Sequence, residues 1–364
     1  MRPAATLPWA TLTTAILITG CLPEEPVWLP NGAGLVYVKP GEKDAELKHL
    51  DLENDRQRVI ATISNCVTSP PAVSPQGDKV AVLQQSGDEM ARIVVFDLSG
   101  QVTHRSAPFA QDTDEKWNTL TWSPFGERLL LIAEQPLLYS LDKRELLPLD
   151  KCKPSLLFLI YRVSPFVPDG SGLLLESEGD TVGGDDQNLK LMSWDGELHQ
   201  IKPAAELDKL KDANLNLESF WPPPGTWQGN QLRLEVGLGY VVIDVERRQM
   251  RLEEDPVVVQ RWKQAKDEQW LTTSTFAGGQ ARVVVSRTAE NNVLRVDLRA
   301  TPQSEAKVLL ERAYAGYRDK SQLISLYPSS DGRYLAIKYS REMKGPPRIL
   351  VIDRQGKTVR DDAL

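Results

Sequence analysis

Short apolar runs recur along the chain, each beside a Pro- or Gly-containing turn. They include Leu35-Val36-Tyr37-Val38, Val80-Ala81-Val82-Leu83, Leu129-Leu130-Leu131-Ile132, Val283-Val284-Val285 and Tyr334-Leu335-Ala336-Ile337. None follows the 3.6-residue spacing of an amphipathic helix, and their length and flanking turns predict buried β-strands. The turns are Pro30-Asn31-Gly32, Pro75-Gln76-Gly77, Pro124-Phe125-Gly126, Pro168-Asp169-Gly170 and Ser330-Asp331-Gly332. Weaker copies stand at Gln228-Gly229-Asn230 and Ala277-Gly278-Gly279. Counted from Gly32 through Gly77, Gly126, Gly170, Gly229 and Gly278 to Gly332, they recur every 44 to 59 residues. Gly or Asn supplies positive φ in such hairpins and Pro presets the approach.

A second marker keeps step with the first. An apolar residue followed by Asp closes a third strand at Leu50-Asp51, Phe96-Asp97, Leu141-Asp142, Trp194-Asp195, Ile243-Asp244, Val296-Asp297 and Ile352-Asp353. Each Asp follows its turn glycine by 15 to 25 residues. A fourth strand comes next, as in Arg58-Val59-Ile60 and Lys307-Val308-Leu309-Leu310. Four antiparallel strands repeated seven times at about 50 residues predict an all-β chain with a single seven-bladed β-propeller. A β-sandwich would need seven chance copies of two independent markers. Residues 26–62 form the predicted first blade and 323–364 the last, each complete in its own sequence. Short helical insertions are predicted between blades 4 and 5 (204–212) and between blades 5 and 6 (256–268).

The stretches Val73-Ser74-Pro75-Gln76-Gly77-Asp78-Lys79 and Trp122-Ser123-Pro124-Phe125-Gly126-Glu127-Arg128 resemble the Trp-Ser-Pro-Asp-Gly-Lys repeat of TolB-type, WD-repeat-like β-propellers. The resemblance extends over residues 26–364. It is specific for fold and loose for function, implying an interaction platform or a propeller attached to a peptidase. Family members with an additional N-terminal α/β domain differ from the expectation here, because only Leu22 to Glu25 precede the first repeat after Cys21.

Residues 1–20 read as a targeting segment. Arg2 is its one charge, and the apolar stretch from Leu7 to Thr19 is 13 residues long. That is short of the ~20 residues a spanning helix needs, and it suits a signal-peptide core. The stretch ends at Ile18-Thr19-Gly20-Cys21, which resembles a bacterial lipobox, with Ile18 and Thr19 departing mildly from the usual residues. The resemblance implies cleavage between Gly20 and Cys21 and lipidation of Cys21, with residues 21–25 as a tether. Two or three acyl chains hold a protein stably on a bilayer, whereas one does so only marginally. Leu22 in place of Asp resembles an outer-membrane sorting signal. The expected location is the cell envelope, on the outer membrane facing the periplasm or at the cell surface. An ordinary secretion signal with a chance cysteine is the alternative.

Lys and Arg number 43 against 50 Asp and Glu, a net charge of −7 that becomes −8 once Arg2 is removed. An acidic chain without a basic block disfavours nucleic acid and charge-driven binding to anionic lipid. With 41% hydrophobic and 26% charged residues, the composition is that of an ordinary globular protein.

Candidate chemistry is sparse. A prolyl-oligopeptidase-like enzyme would add a hydrolase domain with a G-x-S-x-G elbow, which the sequence lacks. His49 is predicted near the end of a third strand, and His104 and His199 on fourth strands, all at exposed edges away from a central channel. Asp180, Asp185, Asp186 and Asn188 share one loop, a weak calcium candidate because calcium takes six to eight oxygen ligands. A solvated hairpin loop is the alternative, and no other cofactor is expected. Cys66 and Cys152 fall in the connections between blades 1 and 2 and between blades 3 and 4. Two blades then separate them, which disfavours a bridge that requires Cα atoms within about 7 Å, although an even pair in an oxidising compartment invites one. Trp221-Pro222-Pro223-Pro224-Gly225-Thr226-Trp227 is an enlarged form of the aromatic turn, suited to partner docking or to self-packing.

These features favour a non-enzymatic envelope lipoprotein that binds a protein or glycan partner, with membrane contact through the lipid anchor. Two alternatives stand beside it: a hydrolase or lyase with a channel site, and a sensor or assembly factor holding a small ligand or calcium. The loop Gly179–Asn188 and both helical connections are predicted on one face, opposite the Pro/Gly turns. Long loops on a rigid scaffold are where binding usually resides. There Trp262, Tyr314 and Tyr317 offer aromatic anchors and Arg261 a charged one. The chain also enters blade 1 on this face, about five residues after Cys21, at most ~18 Å of reach.

Overall fold

The computed structural model describes residues 25–39, 41, 44–66, 69–87, 89–110, 118–133, 135–149, 152–153, 158, 162–177, 188–212, 223–268, 270–276, 282–288, 293–299, 305–313, 324–340 and 347–363. Seven antiparallel sheets, each made of four consecutive strands, form a seven-bladed β-propeller. Blade 1 comprises Val27–Trp28, Gly34–Lys39, Asp44–Asp51 and Arg56–Ser64; blade 2, Ala72–Val73, Lys79–Gly87, Met90–Asp97 and Val102–Arg105. Blade 3 is Thr119–Trp122, Arg128–Ile132, Leu137–Ser140 and Glu145–Pro148; blade 4, Cys152–Lys153, Gly172–Ser177, Asn188–Ser193 and Leu198–Gln200. Blade 5 is Thr226–Gln228, Gln231–Val236, Gly239–Asp244 and Gln249–Glu254; blade 6, Trp270–Thr275, Arg282–Thr288, Val293–Arg299 and Lys307–Ala313. Blade 7 is Ile324–Pro328, Tyr334–Ser340, Pro347–Asp353 and Thr358–Ala363. Two sheets exceed the predicted four strands. Phe109–Ala110 adds to the third strand of blade 2, and Lys202–Pro203 lies parallel to the outer strand of blade 5.

Both sequence markers have a mechanical role. Where the marker Asp stands at or just past the end of a third strand, it turns its carboxylate onto the backbone of the following hairpin. Asp51 accepts from the amides of Glu53 and Asn54, each at 3.0 Å, and Asp97 from those of Ser99 and Gln101, each at 2.9 Å. This is the Asx-turn chemistry that makes Asp a turn residue. The hydrogen bond from the Ser99 hydroxyl, with those backbone amides, holds the Asp97 carboxyl below the usual carboxylate range. A Trp just before the turn, followed by x-Pro in blades 1 and 3 and by Gln228-Gly229 in blade 5, ties blades together. Trp28, Trp122 and Trp227 each donate Nε1–H to a backbone carbonyl in the preceding blade's inner segment: Tyr327 at 2.8 Å, Ala72 at 2.9 Å and Ser164 at 3.0 Å.

The chain divides into two compact units. Among the described residues, one comprises Ile132–Leu138 and Pro148–Glu268, and holds blades 4 and 5. Within it, Gly225 packs against Val163 and Leu234, close enough that a Cβ would overlap both. The other is Thr19–Leu131, Tyr139–Leu147 and Gln269–Leu364, and holds blades 1, 2, 6 and 7 with most of blade 3. Its cores lie between blades: Val36, Leu47 and Ile63 against Val80, Val82 and Val94, and Val283, Val285 and Val296 against Leu326, Leu335 and Ile337.

Blades 7 and 1 meet without a shared strand, as predicted. Val27–Trp28 pairs with Gly34–Lys39 inside blade 1, and blade 7 is built from its own strands. Leu35, Tyr37 and Leu50 pack on Ala336, Ile349 and Val351, and Trp28 stacks on Tyr334 with ring centroids 6.2 Å apart. The Ser330 hydroxyl donates to the Pro30 carbonyl at 2.5 Å, Arg333 donates to the Asn31 carbonyl at 3.0 Å, and Arg360 pairs with Asp55. Gly32 has φ 68°, and a Cβ there would fall 2.3 Å from the Asp331 carboxylate. This glycine therefore serves both its own turn and the neighbouring blade.

Three expectations are corrected. Cys152 lies in the first strand of blade 4 rather than in the connection before it, because Cys152–Lys153 pairs with Glu176 and Ser177. Both it and Cys66 are free thiols. His49 is buried, at 7% exposure, instead of standing at an exposed edge. Its strand carries Ala45 and Leu47 into the core beside it, so the alternation takes His49 inward as well. Asp297 does not close its strand: it lies inside Val293–Arg299 and its carboxylate accepts from Arg295 Nε at 2.8 Å. The short helical insertion before blade 5 is present as predicted, a 3-10 turn, Ala205–Asp208, followed by the single α-turn Lys209–Asp212. The weak turn 277–279 lies outside the described residues. Among the described residues, no helix is long and apolar enough to cross a membrane.

Candidate functional site

The connection after blade 5 folds into the one described helix longer than two turns, Pro256–Asp267, and it settles on blade 5. Asp255 is its N-cap, accepting from the Val257 amide at 2.9 Å, and Pro256 occupies the first turn, where a missing N–H costs nothing. Val258 and Ala265 are buried; Val257 is 67% exposed.

Blade 5 receives the helix with a polar sheet face. Its second strand alternates Gln231-Leu232-Arg233-Leu234-Glu235-Val236, so successive side chains go to opposite faces. Cross-strand registry sets Glu235 beside Tyr240 and then Glu253, Arg233 beside Val242 and then Arg251, and Gln231 beside Asp244 and then Gln249. Arg233 bonds Glu253 at 2.7 Å and lies over the Tyr240 ring, 4.5 Å from its centre. Arg251 also bonds Glu253 at 2.7 Å, and Gln231 donates to Asp244 at 2.8 Å. Burial pushes the Glu253 carboxyl up, but Arg251 and Arg233 outweigh it and hold the group below its usual range.

Glu235, itself buried, takes its partners from the helix. Arg261 grips it with two nitrogens, Nε to Oε1 at 2.9 Å and Nη2 to Oε2, while Trp262 Nε1 donates to Oε1 at 3.1 Å. Burial disfavours the charge on Arg261, yet Glu235, aided by a hydrogen bond with Tyr240, raises its pKa above the ordinary value. The two residues predicted as partner anchors therefore direct their polar groups inward, and the Arg261 side chain is 14% exposed. Glu235 and Tyr240 were missed by the motif reading. The signal was present in the strict alternation 231–236, which differs from the unbroken apolar run Leu35-Val36-Tyr37-Val38 of blade 1.

Tyr314, Tyr317, Asp180, Asp185, Asp186, Gly20 and Cys21 lie outside the described residues, as does Trp221. Asn188 begins the third strand of blade 4, its backbone opposite Ser177. Among the described residues, no three His, Cys, Asp or Glu side chains are grouped to hold a metal ion.

A cavity of about 680 Å³ lies along the outer hairpin of blade 1, lined by His49, Asp51, Asn54, Asp55, Arg56, Gln57 and Arg58. Several of its polar groups are already engaged. Asp51 caps the hairpin, Asp55 pairs with Arg360, and Gln57 bonds the Tyr37 hydroxyl. His49 Nδ1 is 3.4 Å from Arg58 Nε. Its Nε2 is buried over Gly34, where a Cβ would come within 2.7 Å of it. Burial, followed by the Arg58 charge, lowers the imidazole pKa.

No protein-family model matches the chain, and no curated protein resembles it significantly in sequence. Solved structures do resemble it. TolB from Acinetobacter baumannii is 13% identical over 90% of this chain with a TM-score of 0.39, and the chain spans 63% of that protein's length. The C-terminal WD40 domain of Sif2 is 11% identical over 91% of this chain and 81% of its own, TM-score 0.46. An oligogalacturonate lyase in complex with manganese is 12% identical over 89% of this chain and 74% of its own, TM-score 0.39. The neighbours thus include an enzyme as well as a WD40 domain, while the fold assignment stands on the seven sheets themselves.

Proposed function

We propose that this chain is a non-catalytic lipoprotein of a bacterial cell envelope, anchored through Cys21, whose propeller binds a protein or glycan partner. The supporting observation is how the polar residues of the repeats are used. The repeated aspartates cap hairpins, and the arginines and glutamates of blade 5 bond one another and the helix. Among the described residues, the connections vary between blades most at the segment 201–212 and the 256–267 helix. A rigid scaffold with elaborated connections is the usual basis of a binding surface. The 256–267 helix presents Val257, Lys263 and Lys266 outward, which makes it the preferred part of that surface.

Photo-crosslinking from positions 257 and 263 in intact envelopes, combined with Cys21→Ser, tests this reading. The expected result is a discrete adduct from either position and loss of the acyl mass and of detergent-phase partitioning in the Cys21→Ser protein. Turnover of a glycan or peptide library by the purified protein, with no adduct, would reverse it.

A further inference from the structure

We propose that the 256–267 helix is a detachable strap, pinned to blade 5 by Glu235 and able to leave without disturbing the sheet beneath. A limited apolar contact holds it: Val258 and Ala265 are buried, Val259 and Trp262 half-buried, and Val257 stands in solvent. Its polar attachment centres on one carboxylate, Glu235, which receives both Arg261 nitrogens and Trp262 Nε1, with Arg261 also bonded to Tyr240. The chain before the helix stays fixed, because the Asp255 amide donates to the Leu238 carbonyl at 3.1 Å. That makes residue 255 the hinge.

The surface left behind tolerates water. Arg233 and Arg251 both bond Glu253, and Gln231 donates to Asp244, all without the helix. Departure therefore uncovers a charged sheet face, whereas lifting a covering element from an apolar face would expose core. Glu235 changes most. Docked, it is a buried carboxylate whose neutralisation comes from Arg261; undocked, it is solvated beside Tyr240. A buried ion pair contributes little net stability but fixes geometry strongly, and losing one partner leaves the other charge buried and uncompensated. Such a contact suits a reversible latch. An isolated 12-residue helix is marginal in water, so the strap frays when it leaves. This inference stands whether or not the protein is lipid-anchored.

Peptide-resolved hydrogen exchange on the full chain tests it. In the unaltered protein, amides of 257–267 should exchange at least tenfold faster than those of Gly239–Asp244, with almost no dependence on urea, as local opening requires. Glu235→Gln keeps the shape and removes the charge; it should speed strap exchange by a further factor of ten while strand exchange in blade 5 stays unchanged. Trypsin should then cut after Lys263 and Lys266 in that variant before it cuts elsewhere in blade 5. Helix and strand amides exchanging together, with a shared urea dependence, would overturn the proposal. So would a Glu235→Gln protein whose strap and strands loosen equally. If that variant fails to fold, the unaltered protein's urea series decides alone.

Discussion

Blades 1 and 5 share one strand plan and solve opposite problems. Blade 1 is apolar on both faces: Val36, Val38 and Leu47 pack toward blade 2, and Leu35, Tyr37 and Leu50 toward blade 7. Blade 5 keeps one apolar face, with Leu232, Leu234, Val241 and Ile243, and gives the other to charged pairs and a helix. Their outer edges differ too. The third and fourth strands of blade 1 lose register between Leu47 and Lys48, and blades 2, 6 and 7 do the same near the equivalent place. Blade 5 pairs without interruption from Gly239–Glu254 to Asp244–Gln249, and its edge is covered by Lys202–Pro203. Bulges and covering segments both deny an exposed edge to a stray strand. Blade 1 is bulged and bare and blade 5 is regular and covered, while blade 2 combines a bulge with the added segment Phe109–Ala110.

The contrast between apolar and polar faces can be broken most forcefully in the core. Leu47→Ala in blade 1 should cost about 2–5 kcal/mol, as buried leucine truncations do. Arg233→Ala in blade 5 should cost no more than ~1 kcal/mol, since its ion pair is partly solvated. Urea denaturation midpoints of the two variants compare them directly, and equal losses would erase the distinction between the blades.

Gly32→Ala should cost about 1–2 kcal/mol for a side chain at positive φ, and more if Asp331 has to move. Gly229 also has positive φ, but nothing lies within 4 Å of a Cβ there. Gly229→Ala should therefore show the backbone cost alone. A Gly32→Ala loss no larger than that of Gly229→Ala would remove the interblade role of Gly32.

A smaller effect is expected from pH. The His49 imidazole is lowered by burial, so the unfolded chain takes up a proton more readily than the folded one. Its contribution is intact above the ordinary imidazole pKa of ~6.5 and is lost as pH falls below it. The lowered aspartates act in the same direction but in a more acidic window, below about 4. Thermal melts of the unaltered protein and of His49→Gln between pH 7 and 5 should separate the two, with the histidine-dependent slope missing from the variant. The faintest signal should come from the covered edge. Replacing Lys202 and Pro203 by glycine should produce weak, concentration-dependent self-association in sedimentation velocity, with no change in the blade 1 edge.

The blade plan was legible because both markers are local chemistry. A Pro-x-Gly turn and an Asp that accepts from its own hairpin declare themselves in a few residues, so Gly32 and Asp51 or Gly77 and Asp97 could be paired by counting. Blade 4 was harder. Its first strand is split between Cys152–Lys153 and Phe166, which bridges to Leu173, and no short pattern joins pieces that far apart. His49 was misjudged because strand position predicts a location along a blade and not the depth of one side chain. Arg261 and Trp262 stand out as unusual residues, but their partner Glu235 is distant in sequence, and the alternation 231–236 marks a polar sheet face without marking which of its residues the helix meets.

Every blade here is one uninterrupted stretch of chain, and the junction of the last with the first is made by side chains such as Trp28, Ser330 and Arg333. The order in which the blades are strung is therefore separable from the way they fit. Linking the ends and reopening the chain in the 65–69 connection should give a circular permutant with the same seven sheets. By the same reasoning, a whole blade is a self-contained unit of inheritance, which duplication can copy and which can diverge afterwards.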